Sequence, residues 1–356
     1  MYFDMHVHDR GGKEAYKETE AHALEVAEKA GVDGILVMPN TNPPITTRKL
    51  AEEKLERADK SGSKVFYGIH FGITSNPNQL REFVMAHREL FPRIAGGKLY
   101  MGRSVGDLAV VDESEQRKVF LFLSGLGYKG VITIHGEKES LLKPELWNPQ
   151  NPISHCWARP KEAELASYQD AVRFAVDAEF RGKLHFTHVS FPEAVRYIDA
   201  VKRNLAKTEF GGFQISCDVT PHHLFACDEM MHHPDGITFK VNPPLRSLDD
   251  MNGLRECVRQ GLIDCIATDH ALHTLNEKTG IAKDRKGEPI YLSGLPGVEK
   301  WSKIYQKLKE MGLSSQEVED LTFNNAVKIF GLEKYVKRTD NAGDLNLREY
   351  SYGNYL

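Results

Sequence analysis

Two histidines, His6 and His8, stand two residues apart at the end of the first apolar run of the chain. Side chains alternate along a β-strand with a period of two, so both imidazoles lie on the same face of the sheet. Two imidazoles on one face can share a divalent metal ion. A histidine on a strand is more often a core or surface residue, so this pair predicts a metal site only if further ligands accompany it.

Four further side chains that can bind metal each follow another short apolar run. They are Lys98 in GGKLYMG, His135 in VITIHGE, His188 in LHFTHVS and Asp269 in CIATDHA. Imidazole and carboxylate ligands without thiolates suit Zn²⁺, and also Mn²⁺, Co²⁺ or Fe²⁺. Four histidines and one aspartate exceed the needs of one tetrahedral ion. The sequence therefore predicts two ions, about 3.5–4 Å apart, with a bridging oxygen ligand and a bridging hydroxide.

Lys98 is the unusual member of this set, because a free ammonium group would repel the metal ions. Conversion of its amine to a carbamate would supply two anionic oxygens for the bridge between the ions. The alternative is an unmodified lysine that forms a salt bridge or is exposed to solvent. The residue types alone leave both interpretations open.

The apolar runs that carry these residues alternate with amphipathic stretches along the chain. Strand-like runs are 2–8, 33–39, 65–72, 97–101, 130–135, 184–189, 213–219 and 263–268. Helix-like stretches are 14–30, 47–60, 78–90, 160–181 and 191–206. Eight strands that alternate with helices predict a (β/α)8 TIM-type barrel, with the candidate ligands at the carboxyl ends of its strands. The alternative, a doubly wound open sheet, would not bring ligands from five of these strands to one point.

The barrel is predicted to occupy residues 1–335, followed by a short polar C-terminal tail at 336–356. The stretch 138–160 is rich in Pro and Asn, so we expect a long loop there, after strand 5 and over the mouth of the barrel. The tail is predicted either to add one strand or to be disordered.

Composition restricts the partners and the setting of the protein. The chain has 356 residues, 41% of them hydrophobic and 27% charged, which is typical of a soluble globular protein. A net charge of -4 argues against nucleic acid and membrane surfaces as partners, and favours a small molecule. Five cysteines without a CxxC pair fit no closed disulfide framework, which favours the cytoplasm. Neither a signal-peptide pattern nor an apolar run of about 18 residues is visible, so we expect no secretion and no membrane span.

Eight motifs of this chain resemble those of the dihydroorotases, which are cyclic amidohydrolases of the amidohydrolase superfamily. The motifs are HVHDR at 6–10, VMPNT at 37–41, GGKLY at 96–100, TPHHL at 220–224, KVNPPLR at 240–246, ATDHALH at 267–273, SGLPGVE at 293–299 and NNAVKIFGL at 324–332. They follow the order of the family. The resemblance implies a zinc-dependent (β/α)8 barrel that interconverts L-dihydroorotate and N-carbamoyl-L-aspartate in pyrimidine biosynthesis.

The resemblance also implies a role for each candidate ligand. The implied ligands are His6 and His8 for the more buried ion, and His135 and His188 for the second ion. Lys98 matches a lysine that is N6-carboxylated and bridges the two ions. Asp269 matches an aspartate that binds the first ion and acts as the catalytic proton shuttle.

Further matches imply a substrate-binding set. Arg10 and Asn40 match residues that hold the substrate carboxylate, and His273 matches a further carboxylate contact. The matches that line the pyrimidine ring are Asn242, Pro296 and Gly297. A forked guanidinium can bind a carboxylate through two hydrogen bonds, which suits the role of Arg10. The residue types alone also allow a surface salt bridge for Arg10 and a turn for Asn40.

Some positions depart from the family pattern and leave other functions open. Residues 9–13 read DRGGK, where the family has Leu-Arg followed by Glu-Pro-Gly or Asp-Gly, and Leu272 replaces the usual proline. One alternative is a related cyclic amidohydrolase of the dihydropyrimidinase, hydantoinase or allantoinase kind, which would not need Arg10. Another is a non-catalytic partner of aspartate transcarbamoylase, although such chains lack metal ligands that this chain has. A homodimer and an association with aspartate transcarbamoylase are the assemblies to test.

Overall fold

The computed structural model describes residues 2–104, 106–207, 212–339, 343–344, 347 and 350–356. Its central feature is a parallel sheet in which the first eight strands are hydrogen-bonded in sequence order, while the ninth pairs with the first. The strands are β1 (Tyr2–His8), β2 (Val32–Val37), β3 (Phe66–Gly72), β4 (Ile94–Tyr100), β5 (Val131–His135), β6 (Lys183–Phe186), β7 (Gln214–Val219), β8 (Cys265–Ile266) and β9 (His270–Ala271).

The last two strands close the sheet into a barrel. β8 pairs with β7, and β9 pairs with β1, both in parallel. Only residues 267–269 separate β8 from β9, so a single stretch of chain joins the two edges of the sheet. The predicted (β/α)8 barrel is confirmed. The strand predicted at 263–268 is longer than β8, which covers only Cys265–Ile266, and Asp269, with a left-handed φ of 51°, separates β8 from β9.

The long helices pack on the outer face of the sheet, and short helices lie in loops and at the ends of the barrel. They are α1 (Glu20–Lys29), α2 (Arg48–Asp59), α3 (Pro77–Leu90), α4 (Glu113–Gly125), α5 (Ser154–Ala158), α6 (Lys161–Asp177), α7 (Pro192–Leu205), α8 (Pro221–Phe225), α9 (Leu248–Arg259), α10 (Leu275–Lys278), α11 (Trp301–Glu310), α12 (Ser315–Glu319) and α13 (Asn325–Phe330). The helix predicted at 14–30 starts too early. Thr19 caps α1 by accepting a hydrogen bond from the His22 backbone N–H at 3.1 Å, so the helix begins at Glu20.

Apolar side chains fill the barrel at its amino end. Phe3 and Met5 of β1 belong to this apolar cluster, together with Leu36 of β2, Ala95 of β4 and Val131 of β5. The helix α13 and the turn before it close this end from below with Phe323, Val327 and Phe330, all of them buried. A larger apolar cluster lies between the strands and the outer helices. The interior of the barrel at the amino end is therefore a packed apolar core.

The carboxyl end is covered by loops and by the tail. The stretch predicted as a loop at 138–160 contains two short 3-10 segments, Glu139–Leu141 and Pro144–Leu146, and the helix α5. Ile153 from this stretch shares an apolar cluster with Leu295 and with Tyr352 of the tail. Residues 340–342, 345–346 and 348–349 of the predicted tail lie outside the described residues. Among those described, the tail forms no strand. The predicted boundary between barrel and tail stays a prediction.

No helix formed by the described residues combines the length and the apolar character needed to cross a lipid bilayer.

Candidate active site

His6, His8 and Asp269 converge at the carboxyl end of the barrel. Val7, between the two histidines, packs into the outer cluster, so both imidazoles face inward. The Nε2 atoms of His6 and His8 lie 3.1 Å and 3.0 Å from the same Oδ1 atom of Asp269. All three side chains are buried, and their ligand atoms lie within 4.8 Å of one another. Two imidazole nitrogens and a carboxylate oxygen around one point fit a divalent ion.

Asn40 fixes the orientation of the His8 ring. The Oδ1 atom of Asn40 lies 2.6 Å from Nδ1 of His8. An amide oxygen only accepts hydrogen bonds, so Nδ1 carries the proton and Nε2 keeps a free lone pair toward Asp269. Burial lowers the pKa of His8, which favours the neutral ring that a metal ligand requires. The role of Asn40 as a carboxylate contact stays a prediction.

His135 and His188 form a second group beside the first. Nδ1 of His135 lies 2.9 Å from Nε2 of His188, and the ring centroids of His188 and His6 are 5.4 Å apart. Burial lowers the pKa of His135 and holds that of His188 well below its usual value, so both rings are neutral at neutral pH. Two neutral imidazoles whose nitrogens face each other can bind one ion between them.

The backbone of His188 is held in place from β7. Its φ is 43°, and its N–H donates to Oδ1 of Asp218 at 2.7 Å. The other oxygen of Asp218 lies 2.9 Å from Nε2 of His185. His185 also contacts Ser216 through Nδ1, so both of its nitrogens have partners and His188 is the ring that faces the site.

The carboxylate of Glu137 lies beside the ring of His135. Nε2 of His135 lies 3.4 Å from Oε2 of Glu137, which Arg159 binds through its Nε at 3.2 Å. Burial acts to raise the pKa of Glu137, but the Arg159 guanidinium outweighs it and holds this pKa well below the usual range. Glu137 is therefore a carboxylate at neutral pH and can orient the ring of His135.

Lys98 lies close to both groups of ligands, because its charge acts on the pKa of His6 and on that of His188. It is fully buried, and its Nζ donates to Oγ1 of Thr187 at 3.1 Å. The same Oγ1 lies 3.1 Å from Nε2 of His188. Burial lowers the pKa of Lys98 to about 7, although Asp269 and Asp218 act to raise it. A large fraction of the amine is therefore neutral at neutral pH, and the neutral amine is the form that reacts with carbon dioxide to give a carbamate.

Arg10 and His273 meet at one side of this centre. Arg10 is 2% exposed, and its Nη2 lies 3.1 Å from Nε2 of His273. Its Nε is buried and has no hydrogen-bond partner among the described residues. Arg10 is thus not a surface residue. A buried guanidinium with an unused donor can take an anionic group.

These side chains enclose a small cavity of about 30 Å³, enough for about two water molecules. Its lining consists of His6, His8, Arg10, Asn40, Tyr100, Ser104, His135, His188, Asn242, Asp269, Ala271, Ser293 and Gly294. Of the predicted substrate-binding residues, His273, Pro296 and Gly297 are not among the described residues that line it, and His273 lies behind Arg10. The N–H of Gly297 instead donates to Nδ1 of His270, at 3.0 Å.

Asn242, by contrast, faces this cavity. Its Oδ1 accepts a hydrogen bond from Oγ of Ser293 at 3.1 Å, and its Nδ2 lies 3.4 Å from Oγ of Ser104. These contacts bring together the loops after β4 and β9 across the cavity. Asn242 therefore lines the cavity, and its contact with a bound ring stays a prediction.

Sequence reasoning missed Tyr100, Thr187 and Asp218. The Tyr100 hydroxyl is buried at the cavity and has no hydrogen-bond partner among the described residues. Its position two residues after Lys98 on β4 places both on the same face of the strand, and this spacing could have identified it. Thr187 and Asp218 act through the ligands that they hold, and neither has a comparable signal in the sequence.

No protein-family model matches the chain. Its relatives include the dihydroorotase of Methanosarcina mazei, which is 32% identical over 334 residues, covering 93% of this chain and 69% of the relative. The dihydroorotase of Halobacterium salinarum is 33% identical, with 93% and 71% covered. The dihydroorotase of Fusobacterium nucleatum is 30% identical, with 96% and 75% covered.

Solved structures with the same fold include two hydantoinases. The L-hydantoinase (dihydropyrimidinase) of Arthrobacter aurescens has a TM-score of 0.79 at 24% identity, covering 97% of this chain and 74% of that one. A D-hydantoinase has a TM-score of 0.77 at 19% identity, with 96% and 73% covered. At these identities the similarity shows the barrel fold alone.

Proposed function

Because this chain belongs to the dihydroorotase family and is a hydrolase of cyclic amides, we propose that its substrate is L-dihydroorotate. The products of the reversible reaction would be N-carbamoyl-L-aspartate in one direction and dihydroorotate in the other. The observation that carries the proposal is the position of the buried Arg10–His273 pair beside the convergent His6, His8 and Asp269. An anion site next to a metal site suits a cyclic amide that bears a carboxylate.

The residues present fit a pair of zinc ions. His6, His8 and Asp269 would hold one ion, and His135 and His188 the other, with carboxylated Lys98 between them. Such a pair, when bound, lowers the pKa of a water ligand to about 7 and polarises an amide carbonyl. The neutral histidines and the lowered pKa of Lys98 support this assignment.

Asp269 is the residue that we assign to proton transfer. Its side chain is 12% exposed and lines the cavity, so it can reach a bound ring. It would accept the proton of the attacking water and deliver it to the ring nitrogen that leaves. In ring closure the same carboxylate would carry the proton in the opposite direction.

Arg10 would set the specificity for a carboxylate. A charge-assisted hydrogen bond in a buried site contributes about 1.5–3 kcal/mol, and an arginine offers two parallel bonds. A neutral ring such as dihydrouracil or hydantoin lacks the group that these donors would bind. The buried guanidinium of Arg10 would then form no charge-assisted hydrogen bond with the substrate.

The test is ring opening of L-dihydroorotate by zinc- and bicarbonate-supplemented enzyme, followed by ultraviolet absorbance, with dihydrouracil, hydantoin and allantoin assayed in parallel. We expect activity on dihydroorotate alone. Arg10→Met should raise KM for dihydroorotate about 100-fold. The matched control is Arg181→Met, at an exposed arginine near the amino end. Activity on neutral rings only, unchanged by Arg10→Met, would reassign the enzyme to the hydantoinase or dihydropyrimidinase kind.

The cytoplasmic location, the homodimer and an association with aspartate transcarbamoylase stay predictions. Light scattering of the purified chain, alone and mixed with aspartate transcarbamoylase, tests both assemblies.

A further inference from the structure

We propose that Tyr352 of the C-terminal tail is a positioning residue for the Arg10–His273 pair, so that the tail forms part of the site for the substrate carboxylate. This inference rests on the proposed function, since it takes Arg10 and His273 as the groups that bind that carboxylate. Tyr352 does not line the cavity and would act through His273.

One hydroxyl group holds both backbone polar groups of His273. The N–H of His273 donates to the Tyr352 hydroxyl at 2.8 Å, and this hydroxyl donates to the carbonyl of His273 at 2.9 Å. Tyr352 is buried, and burial raises its pKa to about 12, so the hydroxyl remains protonated and can make both bonds. Phenylalanine at this position could make neither.

The side-chain contacts of His273 do not fix its ring by themselves. Nε2 lies 3.1 Å from Nη2 of Arg10 and 3.0 Å from the carbonyl of Ser293. Arginine only donates and a carbonyl only accepts, so one nitrogen cannot serve both at once. Nδ1 is buried and has no hydrogen-bond partner among the described residues. The backbone bonds to Tyr352 therefore carry much of the restraint on His273.

The tail also contacts the loop that lines the cavity. A Cβ atom added to Gly353, which has φ 77°, would lie 3.0 Å from Cδ2 of Leu295 and from Cδ of Pro296. Nζ of Lys278 lies 5.6 Å from the centroid of the Tyr352 ring and donates to the carbonyl of Gly294 at 2.7 Å. Tyr352 thus contacts His273 directly, and the loop through Lys278.

The first experiment compares two tail variants in the full-length, zinc-loaded enzyme. Tyr352→Phe keeps the buried ring and removes both bonds to His273. It should raise KM for L-dihydroorotate about tenfold while kcat stays within about twofold. Tyr350→Phe is the matched control, because the Tyr350 hydroxyl lies in the same tail and has no hydrogen-bond partner among the described residues. Its KM should equal that of the wild type.

The second experiment is a double-mutant cycle with Arg10→Met. If Tyr352 acts through the Arg10–His273 pair, Tyr352→Phe should raise KM by a smaller factor in the Arg10→Met background than in the wild type. Independent, multiplying changes in KM would overturn the inference. The unfolding midpoint of each variant is measured as well. A loss of folded enzyme lowers the apparent kcat and leaves KM unchanged, so instability is distinguished from a weakened carboxylate site.

The outcomes separate the inference from the proposed function. An active wild type with an unchanged KM in Tyr352→Phe overturns the inference and leaves the function intact. A wild type and Tyr350→Phe that are both inactive on dihydroorotate overturn the two together.

Discussion

The two ends of the barrel are built from the same strands and differ in what they bury. At the amino end β1 contributes Phe3 and Met5 to an apolar core that Phe330 closes. At the carboxyl end the same strand contributes His6 and His8 to a cluster of titratable groups. Burial of apolar area stabilises the fold, whereas burial of polar groups costs free energy unless each finds a partner. The comparison indicates that the amino end contributes most of the stability, whereas the carboxyl end carries the groups that can do chemistry.

Backbone strain is concentrated at the carboxyl end: of the four described non-glycine residues with left-handed φ, only Glu179 (φ 48°), in the turn before β6, lies elsewhere. Arg10, His188 and Asp269 have φ values of 52°, 43° and 51°, in the left-handed region that non-glycine residues rarely adopt. All three belong to the carboxyl end. Each such conformation costs on the order of 1–3 kcal/mol and must be held by its surroundings, as the Asp218 carboxylate holds the N–H of His188. The site end therefore depends on the rest of the barrel for its geometry.

The largest effect is expected at Asp269. Under the proposed mechanism Asp269→Ala removes a metal ligand and the proton carrier together, so kcat/KM should fall by about 10⁴-fold or more. The free energy of unfolding of the metal-free protein should change little, because the lost carboxylate was a buried charge. Steady-state kinetics and urea unfolding measure the two quantities. Asp264→Ala, at the start of β8, is the control and should keep its activity. A loss of unfolding free energy in Asp269→Ala as large as that of an apolar core substitution would contradict the division between the ends.

At Phe330 we expect the opposite pattern, a loss of stability with little change in activity. It is 3% exposed, and Phe330→Ala should lower the free energy of unfolding by about 3–5 kcal/mol through loss of burial and formation of a cavity. Urea unfolding measures this loss, and kcat of the folded fraction should stay within about twofold. Phe122→Ala, at a side chain that is 36% exposed, is the control and should cost less than about 1 kcal/mol. A large loss of kcat in folded Phe330→Ala would show that the two ends are coupled.

An acid-dependent contribution is expected from Glu18, which lies at the carboxyl end. Burial acts to raise its pKa, but His270 and His22 outweigh it and lower the pKa to about 2. The folded state then binds fewer protons than the unfolded state. The stabilisation is present above the unfolded pKa of about 4.3 and is lost as the pH falls toward 2, by up to about 3 kcal/mol.

Glu18→Gln should flatten this part of the pH dependence, measured by urea unfolding of the metal-free protein between about pH 5 and pH 2. Glu25→Gln, at an exposed residue of α1, is the control and should retain the wild-type slope. If the free energy of unfolding depends on pH equally in the wild type and in Glu18→Gln, Glu18 does not contribute this stability at the carboxyl end.

The smallest effect is expected at Asn40. Loss of its bond to Nδ1 of His8 should lower metal affinity about 10- to 100-fold in Asn40→Ala, measured by competition with a chelator. Asn252→Ala, at an exposed asparagine of α9, should leave the affinity unchanged. If Asn40→Ala instead raises KM at an unchanged metal affinity, the residue acts on the substrate, as the family resemblance implies.

Periodicity was enough to predict much of the fold and the position of the site. The first strand was predicted at 2–8 and is Tyr2–His8, and the fifth was predicted at 130–135 and is Val131–His135. Period-two alternation also predicts that His6 and His8 share a face, as they do. These features depend on local patterns of apolar residues, which the sequence displays directly.

Other features depend on contacts between distant residues, which no local pattern encodes. The interruption at Asp269 arises because β8 must bond to β7 while β9 bonds to β1. The contact between Asn40 and His8 joins residues 32 positions apart. Likewise, nothing in the polar sequence of the tail indicates that Tyr352 is buried against His273.

The interrupted last strand has a consequence for how the chain comes to its final form. The nitrogen of His8 and the oxygen of Asp269 that lie 3.0 Å apart are separated by 261 positions in sequence. A nascent chain therefore cannot assemble this triad until residue 269 has left the ribosome, long after β1 has been made. An ion that needs all three side chains binds only the closed barrel. Its binding therefore stabilises the closed barrel by mass action. Uptake of the ion during refolding would therefore report closure of the barrel, which is the final step, rather than the formation of β1.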